Sequence, residues 1–249
     1  MCSSSQQLVH ETRPTIASRD IQNLNHIKAI FFDAGGTLIH LDSAYICRTI
    51  NAELGIQLNE NRFRQAQFLG MSRVAELVAA GAGSTEKLKR EFYSTLLPQV
   101  GVNDDQIESA VNCVLKLAQE EMLWRTADET TASTLAQLKT RGVKLAVVSN
   151  SDGRIDIALK HAGIADYLDF SIDSFNAGVE KPDPRIFRLA TERAGIDPHE
   201  AAYVGDLYSV DVVGSRSAGL IPILYDPFEL NADADCLRIK SLDDLLVLF

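Results

Sequence analysis

The sequence predicts a doubly wound α/β fold, a parallel sheet covered by helices on both faces, with an all-helical subdomain inserted after the first strand. Three observations lead to this reading. Short, nearly continuous apolar runs each stop at a polar turn, as buried parallel strands do. Segments of helical periodicity alternate with those runs, the order expected of right-handed strand–helix–strand crossovers. One long stretch carries helical patterns and no convincing strand.

In chain order, the first apolar run is Ile27 to Phe32, stopped by Asp33-Ala34-Gly35-Gly36. The second is Val143 to Val148, ending at Ser149-Asn150-Ser151-Asp152-Gly153, and the third is Ala201 to Val204, ending at Gly205-Asp206. Helical periodicity covers Thr130 to Arg141, Arg154 to Ala162, Pro184 to Ala194 and Val210 to Ala218. Residues 42–126 are too long for one crossover connection. Their helical patterns fall near Ala44 to Leu54, Asn61 to Ala80, Thr85 to Leu96 and Asp105 to Leu123. The expected organisation is therefore a core of residues 27–41 and 127–249 interrupted by a helical cap of residues 42–126. Residues 1–26 are polar, lack the apolar centre of a secretory signal and contain Glu11 and Asp20, so they read as a flexible extension rather than a targeting segment.

Composition narrows the partners. Of the 249 residues 46% are hydrophobic and 23% charged, ordinary values for a globular protein. A net charge of -10 argues against nucleic-acid and anionic-membrane surfaces, which select clustered Lys and Arg. No run approaches the roughly 20 apolar residues of a membrane-spanning helix. The four cysteines, Cys2, Cys47, Cys113 and Cys236, have no metal-ligand spacing and no close pairing, which fits a reducing, cytoplasmic setting.

In open α/β sheets, ligands bind beyond the carboxyl ends of the strands. Asp33 stands where the first strand gives way to a glycine turn, so its carboxylate can enter that crevice while the backbone N–H groups of Ala34 to Thr37, Gly36 and Thr37 among them, can face an anion. Asp206 follows the third strand directly, with Asp211 five residues on. Hard cations such as magnesium favour one or two carboxylates with carbonyls, waters and phosphate. Lys181 precedes Pro182, which restricts the local turn, and a lysine at an acidic strand end neutralises phosphate charge and keeps carboxylates ionised. Ser149 and Asn150 can donate hydrogen bonds to phosphate oxygens. Taken singly, each has an ordinary reading as a turn, cap or solvated loop residue.

Together and in this order, the four segments resemble the motifs of the haloacid dehalogenase-like superfamily, whose core is a Rossmann-like sheet. Asp33-Ala34-Gly35-Gly36-Thr37 is similar to the first, Ser149 to the second, Lys181 in Glu180-Lys181-Pro182 to the third, and Gly205-Asp206 through Asp211 to the fourth. The resemblance implies that Asp33 is a nucleophile forming an aspartyl intermediate. It implies that Ser149 and Lys181 hold the transferring phosphoryl group. It further implies that Asp33, the Gly35 carbonyl and Asp206 bind Mg2+, with Asp211 supporting the metal waters or Lys181. The substrate would be a small phosphorylated metabolite, enclosed by a cap inserted between the first and second motifs.

One position departs from that pattern. Phosphatases of the superfamily read Asp-x-Asp-Gly-Thr, the second Asp serving as general acid and base, and here that position is Gly35. Losing a positioned acid costs about 10² to 10⁴ in rate. Such an enzyme is slow, expels a leaving group that needs little protonation, or borrows an acid. His40 and Asp42 are candidates for that acid, although an exposed polar pair in a linker is the more ordinary reading. Three functions stay open: a phosphohydrolase, a hydrolase of carbon–halogen or carbon–phosphorus bonds, and a silent binding protein that keeps the fold and the metal. The phosphonate-cleaving members use a cap lysine, and Lys87, Lys89 and Lys116 have no spacing that singles one out.

Overall fold

Four residues, Ala29–Phe32, form the central strand β1, and all four are buried. In the computed structural model, which describes residue 24 and residues 26–81 and 85–249, β1 lies within a six-stranded sheet. Its neighbours are β4 (Lys144–Ser149) on one side and β6 (Ala201–Gly205) on the other. β5 (Phe170–Asp173) lies outside β4, while β7 (Ile221–Tyr225) and β8 (Leu237–Ile239) extend the sheet beyond β6. Every pairing is parallel. The expected doubly wound core is therefore present, with the order β5-β4-β1-β6-β7-β8.

Strand alternation divides the core between the two faces. Ile30, Phe32, Leu145, Val147, Ala202 and Val204 pack with Leu135 and Leu138 of α5 (Thr131–Thr140) and Leu159 of α6 (Ile155–His161). Phe31, Ala146, Val148 and Tyr203 pack on the opposite face with Ile186 and Phe187 of α8 (Pro184–Ala194). The start of α8 is fixed locally: Asp183 accepts from the Arg185 N–H, Pro184 occupies the first turn, and Gly195 closes the helix in the left-handed region. α7 (Ser174–Ala177), α9 (Val213–Ala218) and α10 (Leu245–Leu248) complete the elements around the sheet.

Between β1 and β4 the chain forms α1 (Ser43–Leu54), α2 (Phe63–Ala79), α3 (Thr85–Gln99) and α4 (Ile107–Glu120). These helices share their own apolar cluster, including Ile46, Ile50, Phe63, Leu96, Val111 and Val114. The sequence predicts an all-helical stretch over residues 42–126, and the structure corrects this: its end, Trp124–Thr126, is a strand. β2 (His40–Leu41) pairs antiparallel with β3 (Trp124–Thr126), closing the entry and exit of the helical layer. Two and three residues are too few to carry a strand pattern in sequence. The extension expected over residues 1–26 lies almost wholly outside the described residues. No helix among the described residues is long and apolar enough to cross a membrane.

The helical layer is seated on the core through α2. Arg64 makes a bidentate contact with Asp128 at 3.0 and 3.1 Å, and the Gln67 side-chain oxygen accepts from the Leu41 N–H at 3.0 Å. Phe68 packs against Tyr225 and Phe228. Within the layer, Gly70 of α2 lets α3 approach closely: a Cβ there would stand 2.8 Å from the Phe92 ring and 3.0 Å from its carbonyl oxygen. Gly→Ala in an open helix interior stabilises by about 1 kcal/mol. At this position Gly70→Ala is expected to have the opposite sign, destabilising by about 1–3 kcal/mol through overpacking. A urea unfolding midpoint at or above that of the wild type contradicts this packing.

Candidate active site

The carboxyl edge of β1, β4 and β6 gathers the acidic residues singled out in sequence. Asp33 follows β1 directly, its backbone N–H donating to the Val204 carbonyl at 2.8 Å. Asp206 follows β6, and a π-helical turn at Tyr208–Val212 brings Asp211 back beneath the strand end. There the Asp211 Oδ2 accepts from the Leu207 N–H at 2.9 Å. Asp33, Asp206 and Asp211 each present a carboxylate oxygen within 4.8 Å of the others, and all three are buried.

Two glycines permit this crowding. A Cβ on Gly205 would lie 2.4 Å from the Asp211 carboxyl carbon, so a side chain there is incompatible with the position of Asp211. A Cβ on Gly36 would lie 2.5 Å from an Asp206 oxygen, and Gly36 also has φ +97°, a conformation that favours glycine. Thr37 is fully buried and its hydroxyl donates to Asp206 Oδ1 at 3.4 Å. Gly36 and Thr37, expected at a bound phosphate, thus lie against the Asp206 carboxylate.

Lys181 supplies the cation. Its Nζ donates to Asp33 Oδ1 at 2.6 Å, to Asp211 Oδ1 at 2.8 Å and to the Tyr203 hydroxyl at 2.9 Å. Asn150, expected as a phosphate donor, instead brackets the Lys181 backbone. Its Oδ1 accepts from the Lys181 N–H at 2.8 Å and its Nδ2 donates to the Lys181 carbonyl at 2.9 Å. Ser149 is buried at the end of β4, the strand next to β1. Tyr203 is the residue sequence reasoning missed: its hydroxyl accepts from Lys181 and donates to the Val148 carbonyl at 2.8 Å. The available signal was a phenol inside a buried strand, which needs a hydrogen-bond partner.

The electrostatics are unbalanced, with three carboxylates facing one ammonium. Burial, opposed by Lys181 and reinforced by Asp211, pushes the Asp33 carboxyl up from 3.8 to about 6. Burial and the neighbouring Asp33 and Asp211 carry Asp206 well above the usual carboxylate range. Lys181 is held well above its ordinary value: burial opposes its charge, and the surrounding Asp211 and Asp33 outweigh it. Asp206 Oδ2 is buried without a hydrogen-bond partner. An all-oxygen, net-negative cluster with an unpartnered carboxylate oxygen has the donor chemistry a hard divalent cation requires.

The remaining candidates, Gly35, His40 and Asp42, have other neighbours. Gly35 bridges to Ile39, and the direction of its missing side chain meets the Trp124 ring. His40 is not exposed as expected but buried in β2, because α2 lies over it; its Nδ1 is 3.4 Å from Gln67 Nε2. Burial and the nearby Arg64 hold its pKa well below 6.5, so the ring is neutral at neutral pH and poorly suited to act as an acid. Asp42 caps α1 by accepting from the Tyr45 N–H and pairs with Arg125 Nε at 3.0 Å.

A parallel sheet with acidic residues and one lysine at its carboxyl edge has the make-up of an α/β hydrolytic enzyme. The family model for haloacid dehalogenase-like hydrolases matches residues 27–219, and the chain belongs to that family. Haloacid dehalogenase-like hydrolase domain-containing protein 3 of Mus musculus is 47% identical over 87 residues, covering 35% of this chain and 35% of the relative. A glyceraldehyde 3-phosphate phosphatase of Methanothermobacter thermautotrophicus is 34% identical over 119 residues, covering 45% of this chain and 50% of the relative. The chain thus spans half the length or less of these relatives. The HAD-hydrolase YfnB of Bacillus subtilis shares the fold, with a TM-score of 0.66 at 18% identity over 89% of this chain and 98% of that one.

The charge imbalance gives a pH test of the cluster. Because Asp33 has its pKa raised in the fold, its contribution to stability is greatest below 3.8 and is lost as the pH rises through about 6. Lys181→Met removes the ammonium and raises the folded-state carboxyl pKa values further. The variant is expected to lose about 3–5 kcal/mol at alkaline pH, and clearly less near pH 5 where protons replace the lost cation. Equal losses at both pH values in denaturant titrations contradict the assignment.

Proposed function

We propose that the chain is a magnesium-dependent phosphatase acting on a small phosphorylated metabolite through an aspartyl-phosphate at Asp33. The observation that carries this reading is the buried, unpartnered Asp206 oxygen, set among three carboxylates beside a lysine. Relatives named as glyceraldehyde 3-phosphate and ribulose-1,5-bisphosphate phosphatases support a small phosphorylated substrate. In this reading Asp33, the Gly35 carbonyl, Asp206 and Asp211 hold the metal. Bound magnesium supplies positive charge that neutralises phosphate oxygens and the excess carboxylates.

The protein's own groups do the rest. Asp33 lies at the edge where its oxygen can attack phosphorus, and Lys181, already 2.6 Å away, offsets the charge of both nucleophile and phosphoryl group. Asn150 fixes the Lys181 backbone, so the ammonium needs little reorganisation as charge moves. Ser149 donates to a phosphoryl oxygen. Gly35 contributes no proton to the leaving group, which makes activated esters the natural first substrates.

With magnesium, p-nitrophenyl phosphate and acetyl phosphate are expected to turn over, with activity lost on chelation and reduced at least about 10³-fold by Asp33→Asn. Magnesium is also expected to raise the thermal midpoint more at about pH 8 than at about pH 5, since protons compete for the carboxylates, and Asp206→Asn should remove the rise. Halide release from 2-halocarboxylic acids without magnesium, together with no phosphate release, would falsify this reading.

A further inference from the structure

The direction in which a residue-35 side chain would project, two residues after Asp33, meets an aromatic ring. A Cβ on Gly35 would stand 3.3 Å from Trp124 Cζ3, 3.4 Å from Cε3 and 3.7 Å from Cη2, all atoms of the six-membered ring. The indole is held from both sides of the seam. Trp124 belongs to β3, in register with Leu41 of β2, and packs against the apolar clusters of both the sheet and the helical layer. Phe92 stacks obliquely on it at 6.0 Å, and Phe92 is itself seated in the space left by Gly70. A chain of close contacts therefore runs from Gly70 through Phe92 and Trp124 to Gly35.

We propose that Trp124 is a specificity-determining residue. Its indole makes the leaving-group side of Asp33 an aromatic wall that selects phosphate esters of planar, conjugated alcohols, a phenol or enol. The proposal rests on the phosphatase reading and deepens it. In the first step an Asp33 oxygen bonds to phosphorus as the ester P–O bond breaks. The electron pair stays on the departing oxygen, where conjugation spreads it, so no proton need be supplied. In the second step a water oxygen bonds to phosphorus and the Asp33 O–P bond breaks. Its electrons return to the carboxylate, the water proton passes to solvent, and inorganic phosphate leaves. Conjugation removes the need for an acid, and the ring that crowds position 35 offers a flat surface on which such a group can stack.

The test uses the full chain with magnesium, phenyl phosphate, acetyl phosphate and ethyl phosphate. Acetyl phosphate expels acetate, which likewise needs no protonation, but has no ring. Trp124→Leu is expected to raise KM for phenyl phosphate roughly three- to tenfold, the range of one aromatic contact, with acetyl phosphate unchanged and Trp124→Phe close to wild type. Gly35→Asp is expected to speed ethyl phosphate hydrolysis only when combined with Trp124→Ala. A loss shared equally by phenyl and acetyl phosphate, no loss for either, or acceleration by Gly35→Asp alone overturns the proposal.

Because Trp124 is the single tryptophan of the sequence, its fluorescence reports ligand contact without turnover. Saturable quenching by phenylphosphonate and not by methylphosphonate is expected, and identical responses to the two overturn the aromatic wall. If the quenching differs as expected while no phosphate ester is hydrolysed, the wall stands and the phosphatase reading fails. If acetyl phosphate turns over in an Asp33-dependent manner while the quenching is identical, the phosphatase reading stands and the wall fails.

Discussion

The ammonium of Lys181 is the constraint around which the carboxyl edge of the sheet is arranged. It touches Asp33 after β1, Asp211 in the turn after β6, and the hydroxyl of Tyr203 within β6. The loop that carries it is bonded to Asn150 after β4. One side chain thereby ties together the ends of the three central strands. Three carboxylates buried within 4.8 Å cannot all be ionised without compensating positive charge, because in a low-dielectric interior their repulsion is poorly screened. Lys181 offsets two of them, and the third, Asp206, is left with an unpartnered oxygen. Gly36 and Gly205 follow from the same constraint, since the carboxylates can approach only where no Cβ stands in the way.

What could be read from the sequence, and what could not, has a physical pattern. Asp33 and Asp206 were legible because carboxylates stopping apolar strands are local signals, and the order of the segments, with Asp211 five residues after Asp206, added the rest. Tyr203 was not, because an aromatic inside Ala201–Gly205 reads as core, and only the tertiary position of Lys181 gives its hydroxyl a task. Asn150 has a partner the sequence does not announce: Ser149-Asn150 looks like a donor pair, and the Asn150 amide is also complementary to the Lys181 backbone. His40 failed for a similar reason. Its burial comes from α2, 27 positions away at Gln67, and nothing adjacent in sequence announces it.

The fold follows the same division. The central strands β1, β4 and β6 are buried on both faces and therefore announce themselves as apolar runs. β7 contains Pro222, which argues against a paired strand, yet it pairs with β6 and β8. β2 and β3 exist because the chain must leave the sheet and return to it at one place, a tertiary requirement that two- and three-residue segments cannot encode by themselves.

That point of return also links the helical layer to the chemistry at Asp33. A carboxyl at position 35 would stand two residues from the acidic cluster member Asp33, and like charge nearby favours the protonated state a general acid needs. Glycine forgoes that use of the negative field and admits an indole instead. Trp124 sits on β3, packs against both apolar clusters, and rests on Phe92 of α3. On the phosphatase reading, the wall that meets the leaving group is therefore positioned by the helical layer rather than by the sheet. The layer is in turn fixed to the core by Arg64 on Asp128, Gln67 on Leu41 and Phe68 on Tyr225 and Phe228. Phe92 of α3, the Trp124 indole and Gly35 are successive neighbours, so on the proposed reading the helical layer bears on the leaving group through a single side chain.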